Sequence, residues 1–287
     1  MSRVLSGLRS RLFDGWGLLI LPVSGFLLAV FVVPLAGVLL RSVTDPSPGL
    51  ENYRAFLSSS VYTDVLVNTF ATAGLVTLIT LALGFPYAYL MTLAGPFWRG
   101  VLIVAVLVPF WTSLLVRTFA WVLVLRDTGV LNETLINAGL ISEPLPLLRH
   151  LPGVLIGMVQ VMLPFAVLPL YATMRGIDRR LLQAAEGLGA RPAPAFWRIY
   201  APLTAPGVAA ATLLVFVSSL GFYVTPALLG GPKNVMLGEF IVQQLTGVLR
   251  WGFASALAVV LLLVTAALLA VVARLTDLRK LLGGGTR

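Results

Sequence analysis

The chain has no cysteine, one histidine (His150), and only 11% charged residues in a length of 287. Without thiols there is no disulfide framework and no thiolate metal or redox site. A single imidazole leaves little for acid–base or metal chemistry. A soluble domain carries about 25% charged residues. Here 59% of residues are hydrophobic and the mean hydropathy is +0.98, so too few polar side chains remain to cover a water-facing surface. Soluble, disordered and fibrous proteins are excluded on that ground. The nucleotide-phosphate loop (Gly, any four residues, Gly-Lys, then Ser or Thr) is also missing. Gly230-Gly231-Pro232-Lys233 has neither its spacing nor its hydroxyl residue. No Ser/His pair, aspartate pair or metal set lies in the apolar stretches, so the chain is read as non-catalytic, with no cofactor of its own.

What is present is apolar length. A helix needs about 20 mostly apolar residues to cross a bilayer. Six stretches qualify: Trp16–Leu40, Thr63–Leu93, Val101–Leu125, Leu151–Thr173, Ala205–Leu229 and Phe253–Ala273. The first is too long for a signal-peptide core and lacks a clear cleavage site. Barrel strands, about 10 residues long with strict alternation, do not fit. The expected architecture is an all-α membrane protein: a short segment 1–15, a transmembrane domain 16–274, and a tail 275–287.

Charge sets the expected orientation. The N-terminus (Arg3, Arg9, Arg11), Arg99, the fourth loop (Arg175, Arg179, Arg180, Arg191, Arg198) and the C-terminus (Arg274, Arg279, Lys280, Arg287) hold 13 of the 20 basic residues. Arg41, Arg54, Arg126, Arg149, Lys233 and Arg250 lie in the other loops. The positive-inside rule then places both termini and the fourth loop in the cytoplasm. The net charge of +9 follows from topology and calls for no nucleic-acid partner.

Proline interrupts several stretches, at Pro86, Pro109, Pro164, Pro169 and Pro226, and polar residues cluster nearby. Each proline frees a carbonyl that something must satisfy. A packed kink is one reading, and a helix bending around a polar path is the other. Asn68, Thr112, Tyr223 and Thr225, with Trp111, are the candidate path residues, since polar groups in lipid are expensive unless they face a cavity or an interface. The stretches are read as free of carboxylates. Arg117 lies nine positions before Arg126, roughly 13 Å below that end at about 1.5 Å per residue. A structural or gating role, paired with an acid or a helix C-terminus, is expected for it.

The fourth loop, about 174–204, reads as helix, turn, helix. Asp178 is a good N-cap. Leu181, Leu182, Ala185 and Leu188 share a helical face, Gly189 is a suitable stop, Pro192 and Pro194 interrupt, and Ala195–Tyr200 is a second short helix. Gln183-Ala184-Ala185, three residues, Gly189, nine residues, then Ile199, Tyr200, Ala201 and Pro202 resembles the EAA loop of ABC-transporter permeases of the binding-protein-dependent import class. Gln183 replaces the usual glutamate and Ala201 the usual leucine.

Asn68-Thr69, the run Leu83–Thr92, the run Pro109–Trp121 and the run Gly221–Pro232 are similar to permeases of the polyamine (spermidine/putrescine) import type. That subfamily also includes permeases for other small amines, amino acids, GABA-like compounds and opines. The resemblance implies a type I importer permease fold of six transmembrane helices, with Gln183, Ala184, Ala185, Glu186, Gly189 and Ala190 forming a coupling helix that docks on an ATPase dimer. It further implies that ATP and Mg are used by that separate chain. A second, homologous permease would complete the pore, an extracytoplasmic solute-binding protein would deliver the cargo, and the site of action would be the bacterial inner membrane. Asp45, Glu51, Asp127, Glu133, Glu143 and Glu239 are available on the outer loops for that delivery protein. A secondary carrier is the rival reading. It would need ionisable residues for coupling, and Arg117 is the one found deep in a stretch.

Overall fold

A backbone surrounded by lipid must bond to itself, so long apolar segments become helices. The computed structural model describes residues 15–178 and 180–275. Arg3, Arg9, Arg11, Asp14, Arg179, Asp277, Arg279, Lys280 and Arg287, which enter the charge count, lie outside the described residues. Among the described residues every regular element is helical. In chain order they are α1 (Gly15–Thr44), α2 (Glu51–Ser58), α3 (Ser60–Leu93), α4 (Pro96–Leu107, continued by a tighter turn Val108–Trp111), α5 (Leu114–Leu125), α6 (Val130–Asn137) and α7 (Leu151–Arg175). There follow α8 (Arg180–Gly187), α9 (Pro192–Leu203), α10 (Ala205–Leu220), α11 (Val224–Leu229), α12 (Leu237–Thr246) and α13 (Trp251–Leu275).

Among the described residues four uninterrupted helices, in α1, α3, α7 and α13, are long and apolar enough to cross a membrane. Two bent pairs bring the number to as many as six: Pro96–Trp111 with Leu114–Asn137, bent by 98°, and Pro192–Leu203 with Ala205–Leu220, bent by 59°. The expected third stretch, Val101–Leu125, is therefore not one helix. After Pro109 the chain tightens, then runs extended at Thr112 and Ser113. The expected fifth stretch, Ala205–Leu229, divides at Gly221–Tyr223 into α10 and α11. Pro226 cannot donate to the Phe222 carbonyl and its ring would clash there, so the helix restarts. Pro86, Pro164 and Pro169 instead sit inside continuous helices. The expectation of carboxylate-free stretches needs correcting: Asp64 lies in the second turn of α3, exposed.

The centre is α3 lying along α7, with α10 packed on both. The buried face of α3 carries Thr69, Thr72, Ala73, Val76, Thr77, Thr80, Gly84 and Ala88. Small and hydroxyl side chains let helices approach closely where no water drives them together. A Cβ placed on Gly84 would sit 3.2 Å from Ala166 Cβ. Thr77 Oγ1 donates to the Ala73 carbonyl at 2.7 Å, so the hydroxyl stays satisfied without a partner helix. Among the long helices α1 leans chiefly on α13, and it presents Phe26 and Phe31 outward. A second apolar cluster of Phe56, Leu237, Phe253 and Leu257 joins α2, α12 and α13. Tyr62 extends it, with its ring 5.0 Å from Phe253 and 5.6 Å from Phe240.

Candidate functional site: a capped surface helix and two broken helices

The surface loop is built by local capping. Asp178 Oδ1 accepts from the Arg180 amide at 2.9 Å, which satisfies one of the free donors that open α8. At the other end Gly189 has φ +89, the left-handed region. Its amide donates to the Glu186 carbonyl at 2.9 Å, and the Ala190 amide reaches the Ala185 carbonyl at 3.0 Å. These two bonds are the paired closure of a Schellman motif. Gln183, Ala184, Glu186 and Gly189 are exposed, whereas Ala185 and Ala190 are half-buried. The face expected to be uniformly apolar divides. Leu182 packs against the core, while Leu181 is 48% and Leu188 90% exposed.

Pro192 does not interrupt the second helix as expected. It occupies the first turn of α9, where the missing amide costs nothing. Between Phe196 and Tyr200 the helix widens by one residue per turn. Phe196 stacks on Tyr200 at 5.3 Å, and Tyr89 from α3 meets both rings edge-on at 5.2 and 5.3 Å. This aromatic knot ties the loop to the last turns of α3. Edge-to-face pairs contribute about 0.5–1.5 kcal/mol each beyond their burial.

The other candidates lie around the two breaks. Thr112 Oγ1 donates to the Pro109 carbonyl at 2.8 Å, and Arg117 Nη2 donates to the Thr112 carbonyl at 3.1 Å. Arg117 thus bridges the 98° bend from α5 back to the residue that caps the preceding turn. Its buried Nε has no partner. Trp111 and Thr112 are exposed, and Tyr223 is 44% exposed at the start of α11. Thr225 is buried and its hydroxyl has no partner. α11 packs against both α5 and α7, so the residues after the two breaks share one neighbourhood. Gly157 makes room for that packing. A Cβ there would come within 2.5 Å of Leu229 Cδ1 and 2.6 Å of Thr225 Cγ2.

Asn68 is engaged elsewhere. Its amide donates to the Val235 carbonyl at 2.9 Å, while Thr69 Oγ1 accepts from the Leu237 amide at 2.7 Å. The Asn68-Thr69 pair therefore anchors the start of α12. Two contacts went unread in the sequence: Trp121 Nε1 donates to Gln160 Oε1 at 2.7 Å, and Arg149, at φ +61, donates its amide to the Leu229 carbonyl at 2.8 Å. In α12, burial pushes the Glu239 carboxyl above the ordinary carboxylate range, opposed by hydrogen bonds from the Met236 backbone and the Gln243 side chain. α12 itself escaped the apolar-length criterion, being short and polar on one side. Among the described residues no group of His, Cys, Asp or Glu is placed to hold a metal ion.

No protein-family model matches the chain. The spermidine/putrescine transport system permease protein PotB of Haemophilus influenzae is 37% identical over 229 residues, covering 80% of each chain. Its namesake in Escherichia coli is 36% identical over 222 residues, 77% of this chain and 80% of that one. The inner membrane ABC transporter permease protein YdcU of Escherichia coli is 32% identical over 248 residues, covering 82% of this chain and 78% of its own. Among solved structures, a chain of a bacterial ABC transporter that imports the polysaccharide alginate superposes with a TM-score of 0.73 at 19% identity, covering 94% of this chain and 98% of that one. A second structure of an alginate ABC transporter, in complex with an alginate pentasaccharide-bound periplasmic protein, gives 0.72 at 18% identity, covering 90% and 93%. With that fold, and with relatives more than a third identical over most of its length, the chain belongs to the ABC-transporter permeases.

Proposed function

We propose that this permease forms half of the path by which an ATP-driven importer takes up small amines, polyamines first, and that it passes the force of ATP hydrolysis to that path through α8. The observation that carries the reading is the exposed helix Arg180–Gly187, capped by Asp178 and closed by Gly189. Its exposed side carries the small Ala184 and the polar Gln183, and Leu188 just past its end is fully outward, a surface that another protein's groove can receive. ATP and Mg then belong to a dimeric ATPase on a separate chain. A second permease subunit of the same family completes the pore, and a solute-binding protein delivers the cargo at the far face. The relatives named for spermidine and putrescine support the choice of cargo.

Trp111, Tyr223 and the hydroxyls of Thr112 and Thr225 offer an amine neutral acceptors and ring faces, while Asn68, tied to the Val235 carbonyl, holds the start of α12 instead. A desolvated cation on an aromatic face is held by about 2 kcal/mol. The test is uptake of labelled putrescine and spermidine by proteoliposomes holding the whole complex. Tyr223→Ala should slow uptake by roughly thirtyfold, the fold-change equivalent to that attraction, with assembly intact, and Thr225→Val should slow it as well. Uptake unchanged by both mutations would show that these residues do not line the path. Accumulation of an amino acid with no polyamine uptake would overturn the cargo.

Arg117 serves the bend and not the cargo in this reading. Its exposed bond to Thr112 contributes roughly 1.5 kcal/mol, the low end for a charged hydrogen bond. Arg117→Ala should therefore reduce folded yield or slow every substrate alike, measured by monodisperse yield and by uptake of two different amines. Normal folding with an altered preference between the amines would place Arg117 in the binding site instead.

Both termini lie in the cytoplasm in this arrangement. Reporter fusions at Leu50, Gly139 and Pro232 should report the outside, and fusions at Gly95, Pro192 and Gly285 the inside. An inside signal at Gly139 would break the six-span topology.

A further inference from the structure

At the end of the bundle that carries the surface loop, a cleft of about 290 Å³ opens between the last turns of α3 and α7 and the first turn of α4. Thr92, Arg99, Tyr171, Met174 and Arg175 are among its lining, and no carboxylate is. Two guanidinium groups from different helices thus face one space.

Arg99 is pinned there. Its Nε donates to the Met91 carbonyl at 3.3 Å and its Nη2 to the Ala94 carbonyl at 2.9 Å, so it closes the C-terminal end of α3 and cannot swing away. Arg175, in the last turn of α7, is exposed and has no hydrogen bond or ion pair among the described residues. Like charges sharing a cleft at the edge of a low-dielectric slab repel one another unless an anion lies between them. Phe97 and Trp98, 74% and 65% exposed, directly precede Arg99. Exposed aromatic rings of this kind sit at the membrane–water boundary, which sets the cleft at the depth of lipid headgroups. Basic pockets between transmembrane helices bind anionic headgroups by this combination of charge and depth.

We propose that the Arg99–Arg175 cleft binds the headgroup phosphate of an anionic phospholipid. Charge, depth and the absence of a carboxylate all favour that occupant. A second cleft, of about 160 Å³, shares Thr92, Leu93, Met174 and Ile177 with the first and reaches Gln183 and Glu186 on α8. A bound headgroup would therefore brace the root of the coupling helix. The inference rests on the chain spanning a bilayer and is independent of which face is cytoplasmic.

The test is native mass spectrometry of the full-length chain released from nanodiscs of phosphatidylcholine with phosphatidylglycerol. Phosphatidylglycerol should be retained in preference to phosphatidylcholine. Arg175→Gln should reduce that retention about fivefold, the effect of one basic residue at an anionic surface, and Arg175→Lys should keep most of it. Arg99→Gln should act in the same direction, but it also uncaps α3, so the Arg175 pair decides. Arg126→Gln, at the opposite end of the bundle, should change nothing. Equal retention of the two lipids, or full retention by Arg175→Gln, would overturn the proposal. Displacement of phosphatidylglycerol by excess inorganic phosphate would also overturn it, by showing a free-anion site. Because the readout needs neither ATP nor cargo, its failure leaves the importer reading standing, and failed uptake with normal lipid retention would sink only that reading.

Discussion

Gly189→Val is expected to abolish stimulated ATP hydrolysis and uptake while leaving the complex assembled. At φ +89 the backbone of Gly189 occupies the left-handed region, which costs a residue with a Cβ roughly 1–2 kcal/mol and a β-branched one more. Space is not the obstacle, because a Cβ at Gly189 would meet nothing within 4 Å of its own chain. The strain therefore loosens the closure of α8 by the Ala190 and Gly189 amides, and the new side chain projects where a partner would dock. Ala185→Asp attacks the same helix differently, by placing a charge at a half-buried position one residue past Ala184. Neither change touches the long helices, so membrane insertion and capture of the binding protein should persist. The measurement is ATPase activity of the reconstituted complex with and without loaded binding protein, alongside uptake. Wild-type values for both mutants in an intact complex would reduce α8 to a membrane-surface helix and remove the main support for coupling through it.

Gly231→Val should fail for the opposite reason. The backbone of Gly231 is ordinary extended chain at φ −111 and ψ −179, which any residue adopts. Here the obstacle is space: a Cβ would come closer than 3.0 Å to the carbonyl oxygen of Arg149. That oxygen belongs to the backbone and cannot rotate aside. Arg149 is itself held at φ +61 with its amide on the Leu229 carbonyl, so it has little freedom to retreat. The seam between the 145–150 segment and the end of α11 must open, at a cost of about 1–3 kcal/mol for an overpacked site. Because α11 carries Thr225 and directly follows Tyr223, both folded yield and uptake should fall together. Thermal unfolding of the purified protein reads the first and proteoliposome transport the second. A mutant with unchanged melting and uptake would mean that this seam is not closed in the working transporter.

The two glycines mark the boundary between what is written locally and what is not. Membrane residence, helicity, the placement of four unbroken helices and the limits of α8 were legible because each depends on neighbours within a few residues. Apolar length alone selects a self-bonded helix in lipid, Asp178 caps an amide two residues ahead, and Gly189 bends the chain where it stands. The spacing of the loop also carries the family's signature, because it lies within one short stretch of chain. Proline showed where a helix had to be weakened but not which positions would yield. Pro86, Pro164 and Pro169 are absorbed in continuous helices, while the chain breaks beside Pro109 and Pro226. Only packing decides that, since neighbouring helices must either satisfy the freed carbonyl or leave room for a bend. Tertiary structure alone turned Asn68 toward Val235, paired Trp121 with Gln160, joined Arg117 to Thr112 across the bend, and laid Gly231 against Arg149. Most of these contacts join residues tens of positions apart in the chain, and a hydrogen bond or a missing Cβ gains its meaning only once the fold has brought its partner within a few ångströms.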